Sequence, residues 1–468
     1  MASRREHPRP GTDRDPATAH AWAAVGGGPL TEPVTYETAP GALAARLPVL
    51  EAARACVGVC SLAAAELLAR RSAIPVPAVR IHEAAVATAF VSERQLRIDG
   101  RTPTSFAPLS GFRPARDGWV RIHANYPHHR ARLLTALGIP DSGGDDFLTG
   151  ALTAELASRT ALEIQETVYA AGGLAVAVAE APPHPPAEAP PLVGIADLEG
   201  GDPRPLPPAP LPADGVRVLD LTRVIAGPVA TRTLALFGAD VLRIDPPLLP
   251  EDPDAHADTG IGKRSALLDL VDPGDRRVFD RLLDTADVLV TGYRPGALDA
   301  LGLGPAEVAA RRPGLIVARL DAWGDRTPWA GRRGFDSLVQ AATGIAAVEA
   351  AGGDRPGVLP AQALDHGTGY LLAAAVLRAL TDRQDTGRGR LIRLSLAATA
   401  AWLLYGIRPP LDAPPVPVPA PDPAPWLTVT GSPYGPLRHA LPPVHYEGAP
   451  RTWSRPPTRW GGDPAVWR

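Results

Sequence analysis

Residues 216–247 read VRVLDLTRVIAGPVATRTLALFGADVLRIDPP. VRVLDL is a short apolar run, too short for a helix and rich in residues that favour strands. IAGPVATRTLALFGA follows as a turn and a helix, with Pro228 at the helix start, and DVLRID reads as a second strand. Strand, helix and strand at this spacing form a β-α-β unit, which dictates a parallel sheet and a right-handed crossover. ADVLVTGY (286–293) and GLIVARL (314–320) add two more apolar strands, each after a helical or turn segment. Residues 215–325 are therefore expected to form a doubly wound α/β domain. A helix from Tyr370 to Arg383, the strand LIRLSL and a helix ending near Trp402 extend it.

Upstream, residues 46–72 read as a helix. PAVRIHEAAVATAFV (77–91) reads as a strand then a helix, and the strand around Trp119, Val120 and Ile122 leads to a helical pattern resuming at Arg130. Residues 151–180 read as two helical segments and a strand, GGLAVAVAE. Pro-rich stretches at 181–191 and 202–215 mark extended segments. The expected organisation is a flexible segment 1–45, a smaller α+β half 46–200, a linker 201–214, an α/β domain 215–407 and a Pro-rich tail 408–468. At roughly 150 residues per domain, a chain of this length holds about three domains or two large ones. The stretches 63–90 and 373–403 echo each other as helix, turn, strand and helix; recurrence of alanine-rich helices explains this equally well.

A net charge of -3 with no Lys/Arg-rich run argues against a nucleic-acid surface. Cys56 and Cys60 share a helix face and read as buried thiols; no His or Cys pair completes a metal site. So few cysteines suit a reducing compartment. The first twenty residues are polar and Pro-rich, unlike a signal peptide, and apolar stretches are interrupted by Arg, Asp or Pro. A cytoplasmic chain without a membrane span is expected. Lys263 is the one lysine among 47 lysines and arginines. Either codon bias left it by chance or it has a task that a compact ammonium performs better than a planar guanidinium.

The turn TRVIAGP lacks the G-x-G-x-x-G pattern, so a dinucleotide site with Asp245 as its ribose acid is not expected, although the helix N-terminus suits an anion. The opening block, followed in order by GKRSALLDL (262–270), ADVLVTGYRPGALDALGLGP (286–305), the block 312–344 and ALDHGTGYLLAAAVLRALTDRQDTGRGRLIRLSL (363–396), resembles family III CoA-transferases. That family includes formyl-CoA and carnitine CoA-transferases and α-methylacyl-CoA racemase. The resemblance implies that CoA moves between an acyl-CoA thioester and a carboxylic acid acceptor. CoA is then a substrate, no cofactor is permanently bound, and a homodimer is expected.

It places the nucleophile at Asp365, in LDHGTG before the long helix. A carboxylate with an ordinary pKa of about 4 is ionised at neutral pH and needs no base. The bland alternative is a helix cap. Gly367 and Gly369 leave backbone N–H groups near the site as oxyanion donors. Lys263, Arg264, Arg294 (in YRPG), Arg223 and Arg243 are the candidate CoA contacts; a solvated surface cation is the alternative for each, and the preferred reading for Arg243. Racemases of this family carry a histidine where this chain has Phe335, so racemisation by their mechanism is disfavoured; His366 adjoins Asp365 without necessarily sharing its site. Transferases often have glutamine at the position of Ile225. The family's small-domain pattern resembles SGFRPARDGWVRIHANYPHHRARLLTALG (110–138), which here precedes the α/β blocks, so the domain order is rearranged. Gly26, Gly27 and Gly28 are the candidates for the family's glycine-rich loop. Acyl-CoA isomerisation and non-catalytic CoA binding are the alternative functions.

Overall fold

The computed structural model describes residues 15–30, 34–104, 106–180, 190–325, 329–350 and 355–468. Its centre is a seven-stranded sheet. In chain order the strands are β1 (Gly194–Gly200), β2 (Arg217–Leu221), β3 (Asp240–Asp245), β4 (Arg264–Leu267), β5 (Val288–Thr291), β6 (Ile316–Asp321) and β7 (Arg388–Ser395). They lie in the order β4-β3-β2-β5-β6-β7-β1, all parallel except β1, which pairs antiparallel with β7. The chain leaves β2 toward one edge and returns at β5 toward the other. Ligands of doubly wound sheets bind at such a switch point, beyond the carboxyl ends of the strands.

The strands are apolar on both faces because both faces are covered. Val218, Val241, Val290 and Ile316 pack under α1 (Val49–Ser72), α2 (Ala226–Leu236) and α4 (Ala363–Thr386); a short α3 (Asp336–Ala342) lies at the end of this layer. Leu219, Leu242, Leu289 and Val317 pack against the helices Pro273–Leu283 and Pro305–Arg311 on the opposite face. Gly238 makes the turn from α2 to β3 at φ 103°, where a Cβ would stand 2.3 Å from Oδ1 of Asp214. Only glycine fits that conformation and that space.

Helix α1 reaches the length and apolarity of a membrane span, but most of it is buried inside the fold. Its Cys56 lies against Gly367 of α4, and Glu66 accepts from Arg378 at 2.7 Å. Alanine, glycine and cysteine let the two long helices approach closely. Residues 49–90 thus share the core of the α/β domain, instead of joining the smaller half expected over 46–200. The smaller unit is a three-stranded antiparallel sheet (111–115, 118–122 and 175–177) with helices Pro127–Ala136, Asp145–Ala157 and Ala161–Ala170 around its own core.

The segment 1–45 is not loose throughout. Pro16–Ala24 is a helix with Ala17, Ala21 and Trp22 buried in the main core, and Val34–Glu37 pairs with Val79–His82. The linker is also held, since the Arg71 guanidinium donates to the carbonyls of Pro207, Leu211 and Pro212. The Pro-rich stretch 181–191 lies outside the described residues except for its last two. The tail wraps back over the body. It contains a hairpin, Leu427–Ser432 with Gly435–Ala440, that the pattern did not reveal, and it buries Tyr446 and hydrogen-bonds Trp453 to the Arg232 carbonyl.

Candidate active site

Helix α4 begins at Ala363, seven residues before the expected start at Tyr370, so Asp365 is the third residue of its first turn. Its side chain is buried and lines a cavity of about 490 Å³ at the carboxyl ends of the strands. Val224 and Ile225 after β2, Pro250, Glu251, Asp258 and Thr259 after β3, and Phe335, Asp336 and Ser337 after β6 form one wall. Glu93, Phe106, His123, Asn125 and Tyr126 close the other from the N-terminal half.

Asp336 positions Asp365. It opens α3, and its Oδ2 accepts the backbone N–H of Asp365 at 2.9 Å. The Gln340 amide donates to Oδ1 of Asp336 and accepts the Leu359 N–H, tying α3 to the approach of α4. Burial pushes the Asp336 carboxyl up to about 6, against the opposing effect of its backbone and amide donors. Burial pushes Asp365 well above the ordinary carboxylate range, and the like charges of Asp336 and Glu93 push it further. The expectation of an ordinary, freely ionised carboxylate is therefore corrected: two close carboxylates in a poorly solvated cavity resist sharing two full charges.

The structure gives the two glycines another task. Gly367 and Gly369 lie inside α4, where backbone N–H groups serve the helix's own carbonyls. A Cβ on Gly369 would stand 2.6 Å from the Ala226 carbonyl oxygen, so this glycine lets α4 meet α2. Partnerless N–H groups belong instead to the first turn of α2, which follows Val224 and Ile225. Val224 has φ 70°, a left-handed conformation that costs a β-branched residue energy. Nothing in the sequence distinguished it.

The cation candidates separate. Lys263 is buried, 2.9 Å from Oδ2 of Asp220 and 3.0 Å from the Thr231 hydroxyl, and does not line the cavity. A phosphate would have to displace Asp220 to reach it. Arg264 is likewise buried, forked onto the Asp240 carboxylate and the Val466 carbonyl. Arg223 holds the cavity rim through the carbonyls of Leu249 and Pro250 and through Glu251. Arg243, expected at the surface, is buried between Asp245 and Glu251 at 2.7 and 2.9 Å. That pairing also occupies Asp245.

Arg294 lines a second cavity of about 480 Å³ with Arg332, Arg333, Glu166 and Tyr169. His129 packs edge-on to Phe335, and its ring pKa is lowered to about 3 by burial, His128, Arg333 and Arg132. His366 is buried against Phe90, 3.6 Å from Oε2 of Glu93, and does not line the Asp365 cavity. Gly26 follows the helix Pro16–Ala24 and faces Ile195 of β1, and none of Gly26, Gly27 and Gly28 lines that cavity. No cluster that could hold a metal ion occurs among the described residues.

Residues 213–408 match the family model described as CoA-transferase family III. The "Probable fatty acyl-CoA transferase Rv3272" of Mycobacterium tuberculosis is 35% identical over 205 residues, 41% of this chain and 52% of that protein. The "Succinyl-CoA--L-malate CoA-transferase beta subunit" of Chloroflexus aurantiacus is 36% identical over 200 residues, 40% of this chain and 49% of that protein. An orthorhombic crystal structure of Rv3272 from M. tuberculosis is 34% identical with a TM-score of 0.40, covering 42% of this chain and 58% of that one. The chain spans about half the length of the curated relatives it matches. The matched region contains Asp365, Asp336 and Val224, while Glu93, Phe106, His123 and Tyr126 lie outside it. The similarity to CoA-transferase family III thus spans residues 213–408 of this chain.

Proposed function

We propose that this chain moves CoA between an acyl-CoA thioester and a carboxylic acid, with Asp365 as the nucleophile. The observation that carries the reading is one buried carboxylate, fixed through its backbone by Asp336 in a cavity open to the switch point of a CoA-transferase sheet. An Asp365 oxygen attacks the thioester carbonyl, and the C–S bond breaks to release CoA thiolate and leave an acyl-aspartyl anhydride. The thiolate then attacks the aspartyl carbonyl, expelling the first acid and forming an aspartyl-CoA thioester. The acceptor acid reverses both steps, so no atom or proton is gained overall. Transfer begins from the ionised form of Asp365, which burial and the neighbouring carboxylates Asp336 and Glu93 disfavour. The first N–H groups of α2 are the candidate oxyanion donors.

The arginine-lined cavity suits the anionic end of CoA. Arg294, Arg332 and Arg333 supply charge and Tyr169 an aromatic face. No permanently bound cofactor is invoked, and the buried free thiols Cys56 and Cys60 accord with a cytoplasmic setting. A homodimer is part of the same proposal. The test is exchange of labelled acid into acyl-CoA by wild type and Asp365→Asn: exchange confined to wild type supports the reading, and exchange by the variant overturns it.

One observation keeps an isomerase reading in view. His123 lies flat on Phe335, ring centroids 3.8 Å apart, and lines the Asp365 cavity. Its imidazole is buried, which with His129 and Arg121 lowers its pKa to about 3 and makes it a weak base. Solvent deuterium entering the α-carbon of an acyl-CoA, and lost in His123→Ala, would favour this reading over transfer.

A further inference from the structure

Beside the Asp365 cavity lies a side pocket of about 240 Å³ lined by Arg94, Phe106, Ser110, Phe112, Arg121, Ser337, Gln340 and Gln362, among others. Arg94, Phe106, Ser337 and Gln362 line both spaces, so the pocket continues the catalytic cavity. Arg121 stands in it, on the strand Gly118–Ile122 of the smaller unit, and is only 8% exposed. Its guanidinium lies 5.2 Å from the ring centroids of both Phe106 and Phe112. Among the described residues it makes no hydrogen bond and no ion pair, and its Nε is a buried donor without an acceptor. The Ser337 hydroxyl, shared by both spaces and 7% exposed, is likewise unpartnered.

A buried arginine without a carboxylate is costly, and folded chains rarely keep one. Asp336 is the nearby negative group that favours the charge, but its oxygens are committed to the Asp365 backbone and Gln340. A planar fork of donors held between two rings matches a carboxylate in two-point contact. Asp365 and Glu93 line the catalytic cavity, Arg121 lines the side pocket, and Asp336 lies near both Arg121 and Asp365.

We propose that Arg121 and Ser337 bind a second carboxylate at the far end of the transferred acyl group, making short dicarboxylic acids and their mono-CoA thioesters the preferred substrates. This rests on the transfer reading above. One carboxyl is activated at Asp365, and the other lies on Arg121 in the side pocket. Donor and acceptor occupy the same space in turn, so one subsite selects both.

The test is self-exchange of labelled acid into its own thioester, for succinate with succinyl-CoA and glutarate with glutaryl-CoA, against butyrate with butyryl-CoA. Wild type should favour the dicarboxylate pairs by roughly tenfold or more in kcat/KM, the effect of one charged two-point contact. Arg121→Met, which preserves the apolar stacking, should lose that preference while butyrate exchange persists. Arg121→Lys keeps the charge without the fork and should fall between. Equal wild-type rates for the two classes, or an equal loss of both in the folded variants, overturns the subsite but leaves the transfer reading standing. If no pair exchanges, the transfer reading fails for these acids. Thermal protection of wild type by succinate or glutarate, absent with butyrate, weakened in Arg121→Lys and lost in Arg121→Met, would then still support the subsite, and its absence would overturn it.

Discussion

The ammonium of Lys263 lies 2.9 Å from Oδ2 of Asp220, and both side chains are buried beneath the first βαβ crossover. Burial raises the Asp220 carboxyl, but Lys263, Arg243 and the hydroxyls of Thr222 and Thr231 outweigh it and hold the group below its usual range. Removing one partner leaves the other charge uncompensated. Lys263→Met should therefore destabilise the chain by about 3–5 kcal/mol in denaturant unfolding. Lys263→Arg should also lose stability, because a wide fork does not fit where one compact cation meets Asp220 and Thr231. CoA affinity of the folded fraction should stay unchanged; a selective loss of affinity at unchanged stability would contradict this.

Asp365 carries a stability consequence of known sign. Its carboxyl binds a proton more tightly in the folded chain than in the unfolded chain. Its contribution favours folding at low pH and is lost as pH rises from the ordinary carboxylate range through the raised folded value. At neutral pH the ionised form opposes folding. Asp365→Asn should thus be more stable than wild type at neutral pH, with the gap closing near pH 4. Denaturant midpoints at the two pH values check it, and a variant less stable at neutral pH would contradict it.

The same coupling shapes the reaction. If ionised Asp365 attacks, acylation should accelerate as pH rises through its raised pKa. Asp336→Asn removes the neighbouring like charge and should move the acidic limb to lower pH, since Asp336 is one cause of the raised value. Single-turnover acylation against pH, on wild type and the variant, reads this directly. An acidic limb that stays in place would remove the coupling from the mechanism.

Arg294 and Arg333 share a cavity separate from Asp365. Neutralising either should raise the KM for acyl-CoA by about tenfold, the typical worth of one charge-assisted phosphate contact. The maximal extent of Asp365 acylation should be unaffected. A KM that does not move in either variant would place the CoA phosphates elsewhere.

The sheet was legible because VRVLDL and DVLRID carry their signal locally, and parallel strands buried on both faces read as apolar runs. The same rule shows why Arg243 misled. A charged residue in such a strand must be buried and paired, and its partner Glu251 lies beyond the strand's end. Lys263 stood out as the one lysine, but composition cannot show which acid it meets. Asp365 was reachable through ordered blocks around it. Asp336 stood beside Phe335 in one of those blocks, yet its grip on the Asp365 backbone is a contact across 29 positions. Arg121 meets Ser337 only when the smaller unit docks on the sheet, so no local pattern announces the pair. The tail hairpin was hidden by proline and glycine, which interrupt its alternation.

The central claim is that Asp365 becomes covalently acylated. Wild type and Asp365→Asn should be incubated with a panel of acyl-CoA thioesters, quenched with and without hydroxylamine, and examined by intact-mass and peptide mass spectrometry. The account predicts a wild-type adduct, labile to hydroxylamine, on the peptide containing Asp365, and none on the variant. An adduct on another residue, or an equal adduct on Asp365→Asn, would contradict it.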